Sequence, residues 1–299
     1  MARFPSTCRT RSQAPRSRLA DPSKRDTRMA TTLRLGIGGL GAIGLAVARK
    51  VDAGGIEGIA LSAVSARDQE KAKAKLADLR AMPRLVSLSE LADHADVVLE
   101  AVPARHFAEI AEPTIAKGRI FMPLSVGQLL GHMHLVDRAR ATGGRILVPT
   151  GALLGLDAVR AVAEGNVASV TITTRKPPRG LAGAPYLTER NISMEGIETP
   201  TRIFTGTARE AIRGFPANVN VAVALSLAGI GPDRTTVEIW ADPTVTRNTH
   251  TIEVRSDSSD LTMTIANIPS EENPATGKVT ALSAIAALRR LTAPLVVGT

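Results

Sequence analysis

The sequence predicts an α/β protein in two parts: a doubly wound parallel sheet first, then a second α+β region carrying a mixed or antiparallel sheet. Three observations carry this. From Leu33 to about residue 125, short apolar runs alternate with stretches of helical spacing, the pattern of a parallel sheet with crossover helices. From Val167 onward, short segments rich in Val, Ile and Thr follow one another, as antiparallel strands do. Last, "NPATGKVTALSAIAALRRL" places its apolar residues on one helical face, so a C-terminal helix is expected to return to the first sheet.

In chain order, "LRLGIGG" reads as a strand, a glycine turn follows, and Ala42 to Val51 reads as a helix. "GIALSAVSA" is the second strand and "DQEKAKAKLADL" a charged helix. "LVSLSELADHADVVLEAVP" holds a short helix and a strong strand from Asp96 to Ala101; "HFAEIAEPTIAKG" and "RIFMPLS" continue the alternation. Beyond Ser125, "VGQLLGHMHLVDRARATGG" reads as one helix, "RILVPTGA" as a strand and "GLDAVRAVAEG" as a helix. The later strands are "VASVTITTRK", "TRIFTGTA", "TTVEIWADP", "HTIEVRS" and "LTMTIANI", interrupted by a helix from Asn220 to Ala228. Asn273 to Thr276 resembles a helix start. The expected division is a leader over residues 1–30, one domain over 31–125 with 273–299, and another over 126–272.

The chain has 299 residues, 44% of them hydrophobic, and a formal charge of +9. Of that charge, +6 lies within the first 28 positions, which hold eight Lys/Arg and two Asp. The body is therefore only mildly basic, and with 2% aromatics it offers few platforms for stacking bases, so no nucleic-acid partner is expected. The leader is rich in Arg, Ser and Pro and is expected to be disordered. Its composition fits a transit peptide but it lacks an apolar helical face; the favoured alternative is an upstream extension, with Met29 opening the folded part. Without an apolar h-region or a membrane-length apolar run, a cytoplasmic location and no membrane partner are expected. Cys8, the single cysteine, lies in the leader, which leaves no disulfide or thiolate metal site for the fold.

Gly36, Gly38 and Gly41 satisfy G-x-G-x-x-G between a strand and a helix, the dinucleotide fingerprint of Rossmann-type domains. The helix N-terminus at Ala42 and Ile43 would offer N–H groups to phosphates. At the end of the second strand, where an acid would hold the ribose of NAD, the sequence reads Ser65 and Arg67, with Asp68 one further. An Arg there suits a 2′-phosphate, so the cofactor reading leans to NADP with NAD open; Arg67 as a plain helix-start residue is the alternative. His132 and His134 point to different faces and make no metal pair, His94 and His106 read as surface residues, and no metal site is expected.

In its second half the chain resembles the L-aspartate dehydrogenase family. The residues that carry the resemblance are "VVLEAVP", "LSVGQL", "ILVPTGALLGLDAV", "TTRKPP", "FTGTAREAIRGFPANVNVAVALSLAG", "IWADPTVTRNTHTIEV" and the closing helix, in family order from Leu33 to Leu291. Gln128 departs from the alanine usual in "SVGQL", and Ser65 with Arg67 departs from the acidic ribose contact. The resemblance implies NAD(P)-dependent oxidative deamination of L-aspartate through iminosuccinate to oxaloacetate and ammonia, and the reverse amination, with iminosuccinate also able to feed NAD synthesis. It implies His250 as catalytic residue, Asn220 as a substrate or cofactor contact and Ala152 as a cofactor contact. An imidazole has the pKa to move a proton on substrate nitrogen near neutral pH, and His250 is read at an exposed strand edge. Asn220, opening a helix, is either an N-cap or a ligand contact. Two substrate carboxylates call for cations, with Arg175, Lys176 and Arg247 as candidates. A homodimer joined through the second sheet is expected. Two other readings stay open: a related two-domain reductase of the dihydrodipicolinate-reductase or homoserine-dehydrogenase kind, and a non-catalytic dinucleotide sensor.

Overall fold

The computed structural model describes residues 32–216, 219–271 and 277–298. The basic leader, Cys8 and the expected helix start at Asn273–Thr276 lie outside the described residues. Six parallel strands form the first sheet: β1 (Leu33–Gly38), β2 (Ile59–Ser65), β3 (Arg84–Leu85), β4 (Val97–Glu100), β5 (Ile120–Pro123) and β6 (Arg145–Ile146), in the order β3-β2-β1-β4-β5-β6. Growth of the sheet reverses between β1 and β4, which opens a crevice beyond their carboxyl ends.

Side-chain alternation along β1 explains both faces of this sheet. Leu35 and Ile37 are fully buried on one side, in a cluster with Val47, Ala48 and Val51 of helix Ala42–Asp52 and with Ala284 and Leu288 of helix Val279–Thr292. The C-terminal helix therefore does return, and its end is tied down where Thr292 Oγ1 donates to the Glu57 carbonyl at 2.6 Å. On the other side stand Gly36 and Gly38. A Cβ at Gly36 would sit 3.0 Å from Ala95 Cβ, and one at Gly38 2.5 Å from Ile110 Cδ1. Both glycines let helices Leu91–His94 and Phe107–Ala116 approach the sheet closely.

Two sequence expectations need correction here. The single helix expected over 126–144 breaks into a 3-10 turn, Val126–Gly131, and helix His134–Thr142, because Gly131 is followed by His132 in non-helical backbone (φ −130°). The first sheet also runs past residue 125, since β6 joins it; the strand expected over 145–152 keeps only two ladder residues. Helices Pro185–Glu189 and Ala208–Gly214 were not foreseen, although the second opens with a Thr207/Glu210 capping box that its sequence spells out.

The second sheet contains β7 (Val167–Lys176), β8 (Thr201–Thr207), β9 (Thr235–Ala241), β10 (Thr249–Ser256) and β11 (Asp260–Ala266), in the order β11-β10-β7-β9-β8. Only β7 and β9 run parallel, so the sheet is mixed. Val170, Ile172, Val237, Ile239, Ile252 and Val254 pack into one core cluster with residues of helices Leu156–Val162, Ala208–Gly214 and Asn220–Ala228. Among the described residues, no helix is long and apolar enough to cross a membrane.

Candidate active site

The crevice at the carboxyl edge of the first sheet continues into a cleft of about 180 Å³ that residues of both sheets line. From the first sheet's side come Ile43, Leu124, Val126 and the strap Pro149–Ala152; from the second come Lys176, Asn220, Asn248, His250 and Asn267. Among the described lining residues none is Asp or Glu, so the charge offered to a ligand is positive.

At the glycine turn the structure shifts the register read from the sequence. Gly36 and Gly38 belong to β1 and serve packing. The turn is made by Gly39, whose φ of 96° suits glycine and whose N–H donates to the Ser65 carbonyl at 2.8 Å. Gly41 precedes helix Ala42–Asp52 as its N-cap, with no side-chain cap, and a Cβ there would meet nothing within 4 Å. A Cβ at Gly44 would collide with the Gly39 carbonyl oxygen. Tight turn, open approach and close packing thus fall on Gly39, Gly41 and Gly44, a second G-x-G-x-x-G three residues along. This open turn at a helix N-terminus is a cradle that fits a pyrophosphate. Ala42 opens the helix and Ile43 reaches the cleft.

Ser65 closes β2 and is buried beneath the turn, so its part there is structural support through its carbonyl. Arg67 is exposed just beyond it. Asp68 is committed elsewhere: its Oδ1 accepts the Lys71 N–H at 3.0 Å and caps helix Gln69–Leu76, which holds its carboxyl below the usual range.

His250 is not at an exposed edge. Its strand, β10, pairs with β11 on one side and β7 on the other, leaving His250 3% exposed. Its Nδ1 lies 3.0 Å from Thr174 Oγ1, also buried. Burial first, and then the charge of Lys176, lower its pKa to about 4, so it is neutral near pH 7. Lys176 follows two residues after Thr174 on the same strand face; burial lowers its pKa to about 8 and still leaves it mostly charged at neutral pH. Arg175, between them in sequence, points to the opposite face. There it meets Asp242 at 3.0 Å and lies 4.7 Å from the Trp240 ring centroid, away from the cleft. Burial pushes the Asp242 carboxyl up, but bonds from Thr244 and Arg175 outweigh it and hold the group ionised. Arg247 is exposed and outside the lining residues.

Asn220 is the first residue of helix Asn220–Ala228, after the N-cap Val219, so it is not the cap. Its Oδ1 accepts the Gly127 N–H at 2.9 Å and ties the 3-10 turn to the cleft wall. The Ala152 carbonyl accepts from Asn267 Nδ2 at 3.0 Å, and the Gly151 N–H donates to Ser283 Oγ at 3.0 Å. Sequence reasoning missed Thr174, Asn248, Asn267 and Glu100. Fully buried Glu100 gathers the N–H groups of Val102, Leu124 and Ser125 at 3.1, 3.2 and 2.9 Å, joining the ends of β4 and β5 beside the cleft. Burial pushes its carboxyl up against those bonds. The one available signal was a polar residue ending an apolar strand, as at Glu100 in "VVLE".

Comparison with known proteins decides the family. The chain is 53% identical over 274 residues to L-aspartate dehydrogenase of Bradyrhizobium diazoefficiens, covering 92% of this chain and 97% of that one. The chain belongs to the L-aspartate dehydrogenase family. L-aspartate dehydrogenase 3 of Bordetella bronchiseptica, also 53% identical, covers 89% of this chain and 98% of its own. The aspartate dehydrogenase C-terminal family model matches residues 157–291, and the homoserine dehydrogenase NAD-binding domain model matches 39–149, beginning at the first glycine of the shifted triplet. The L-aspartate dehydrogenase fold is shared with the solved aspartate dehydrogenase of Thermotoga maritima at a TM-score of 0.67 and 23% identity, over 89% of this chain and 99% of that one.

Proposed function

We propose that the protein catalyses the pyridine-nucleotide-dependent oxidative deamination of L-aspartate through iminosuccinate to oxaloacetate and ammonia, and the reverse amination. One observation carries the reading: a cleft with no carboxylate among its described lining residues sets a neutral imidazole and a buried ammonium across from Ile43, in the first turn of the helix that the glycine turn opens. The pyridine nucleotide, when bound, accepts hydride from the substrate α-carbon. The turn at Gly39, Gly41 and Gly44 would hold its pyrophosphate at the helix N-terminus, and Ile43 and Ala152 of the cleft lining would meet the cofactor. Neutral His250 would take a proton from the substrate ammonium, freeing the nitrogen lone pair to form the C=N bond as hydride leaves; once that proton has passed to solvent, the neutral ring could take one from the water that adds to the imine. Lys176 pairs with a substrate carboxylate. Asn220, already bonded to Gly127, fixes the wall between cofactor and substrate.

The cofactor is read as NADP in preference to NAD, because Arg67 is exposed at the ribose position while Asp68 is spent as a cap. The described residues 32–146 with the C-terminal helix act as the cofactor lobe and the second sheet with its helices as the catalytic lobe. A cytoplasmic location and a homodimer through the open face of the second sheet complete the reading. Absorbance at 340 nm tests it: oxaloacetate and ammonia oxidise NADPH, and L-aspartate reduces NADP. No turnover in either direction with either nucleotide, alongside turnover of another keto or imino acid, overturns the substrate. Arg67→Ala weakens NADPH about tenfold and leaves NADH unchanged; equal losses remove Arg67 from cofactor choice.

A further inference from the structure

We propose that Asn267 is a ligand-binding residue whose Oδ1 accepts a hydrogen bond from the carboxamide N–H of the nicotinamide ring; this rests on the dinucleotide reading above. Asn267 follows β11 directly, is 5% exposed and lines the cleft. Its backbone N–H donates to the Asn248 carbonyl at 2.8 Å, and Nδ2 donates to the Ala152 carbonyl at 3.0 Å. The second bond decides which end of the amide is oxygen. Among the described residues, Oδ1 is then a buried acceptor without a partner. Native proteins seldom leave such an atom unmatched, because the lost hydration is not recovered until a donor arrives.

Three features identify the donor. The strap that Asn267 holds runs on from β6, at the carboxyl edge of the parallel sheet where the reactive end of a dinucleotide lies, and Ser283 pins the same strap at Gly151. Gly277 keeps a side chain off this amide: a Cβ there would press against Asn267, 3.0 Å from Oδ1 and 3.3 Å from its Cβ and Cγ. The chemistry matches as well: a neutral amide oxygen suits the neutral, planar N–H of a carboxamide. Substrate carboxylates have no donor to offer, and the reading above assigns the substrate amino group to His250.

The test is calorimetric titration of the full chain with NAD, NADP and their 3-acetylpyridine analogues, in which a methyl ketone replaces the carboxamide and removes its N–H groups. Wild-type protein binds the analogue about tenfold more weakly than the natural nucleotide. In Asn267→Ala that ratio falls to about one, because the acceptor is gone, whereas damage confined to the strap weakens both nucleotides alike and preserves the ratio. Asn267→Asp keeps an acceptor, gives up the Ala152 bond and retains the discrimination. A wild-type ratio of one, a ratio unchanged in Asn267→Ala, or a ratio lost in Asn267→Asp overturns the proposal. If Asn267→Ala keeps the ratio while the KM for ammonia rises, the acceptor serves the substrate instead. Wild-type protein that binds no dinucleotide defeats the cofactor reading itself, a separate result.

Discussion

His250 and Lys176 are polar groups held where charge is costly, and that cost sets their protonation. The imidazole titrates near 6.5 in an unfolded chain and about 4 in the native one, burial being the larger cause. Between those values the unfolded state binds the extra proton, so native stability falls as the pH drops from about 6.5 to about 4 and the loss is then complete. The size is at most about 3 kcal/mol. Urea unfolding at pH 7 and pH 4.5 should show wild type losing more stability than His250→Gln, by up to about that amount; equal losses would mean that the native imidazole titrates normally. Thr174 belongs to the same argument. Its hydroxyl holds Nδ1 at 3.0 Å and thereby orients the ring nitrogen that is left to face a substrate. Adjacent Arg175 and Lys176 were interchangeable on paper because both are basic. Strand alternation separates them, and alternation becomes usable only once the register against Thr249 and Trp240 is known.

At the scale of elements, the glycine run offers a sharp contrast. Gly41 has ordinary backbone (φ −79°) and open space where a Cβ would go, so Gly41→Val leaves the fold nearly intact and blocks the approach of a pyrophosphate. Gly38→Ala forces a methyl against Ile110 and is expected to cost about 1–3 kcal/mol of stability with little change in dinucleotide affinity of the folded fraction. Thermal melts and nucleotide titrations of the two variants check this, and the reverse pattern would restore the Gly36, Gly38, Gly41 register. The strands and most helices were legible from apolar periodicity, because each element had to bury a face. The register of the glycine motif was not, since "GIGGLGAIG" satisfies the same spacing twice and only the end of β1 chooses between them. His250 was misplaced for a related reason. Whether a strand has one neighbour or two is a property of the sheet order, and "HTIEVRS" contains nothing of β11's position.

For the whole molecule, the second sheet poses a question of coverage. Helices cover the face that carries Ile172, Ile239 and Ile252, while the alternate positions place Thr171, Thr173, Thr251, Thr262, Thr264 and Trp240 on the other. That face is rich in β-branched residues; Arg175 and Arg202 lie over the Trp240 ring at 4.7 and 5.9 Å, and at the far end of β10 and β11 Arg255 pairs with Asp260 at 2.7 Å, beside Glu253. A second copy related by a two-fold axis would present the same surface in return, as an isologous contact requires. Thr173 and Thr251 stand opposite each other near its centre, in the β7–β10 ladder. Replacing both by Asp would set like charges in the middle of such a contact, on a surface that tolerates them in a monomer. Light scattering at micromolar concentration is therefore expected to give about twice the chain mass for the natural protein and the single-chain mass for Thr173→Asp/Thr251→Asp. Because Arg175 reaches from this face to Asp242, whose N–H donates to the Lys176 carbonyl at 2.7 Å, losing the partner should also raise the KM for aspartate through Lys176. A natural chain that scatters as a monomer, or a double variant that remains a dimer, would move the interface off this sheet.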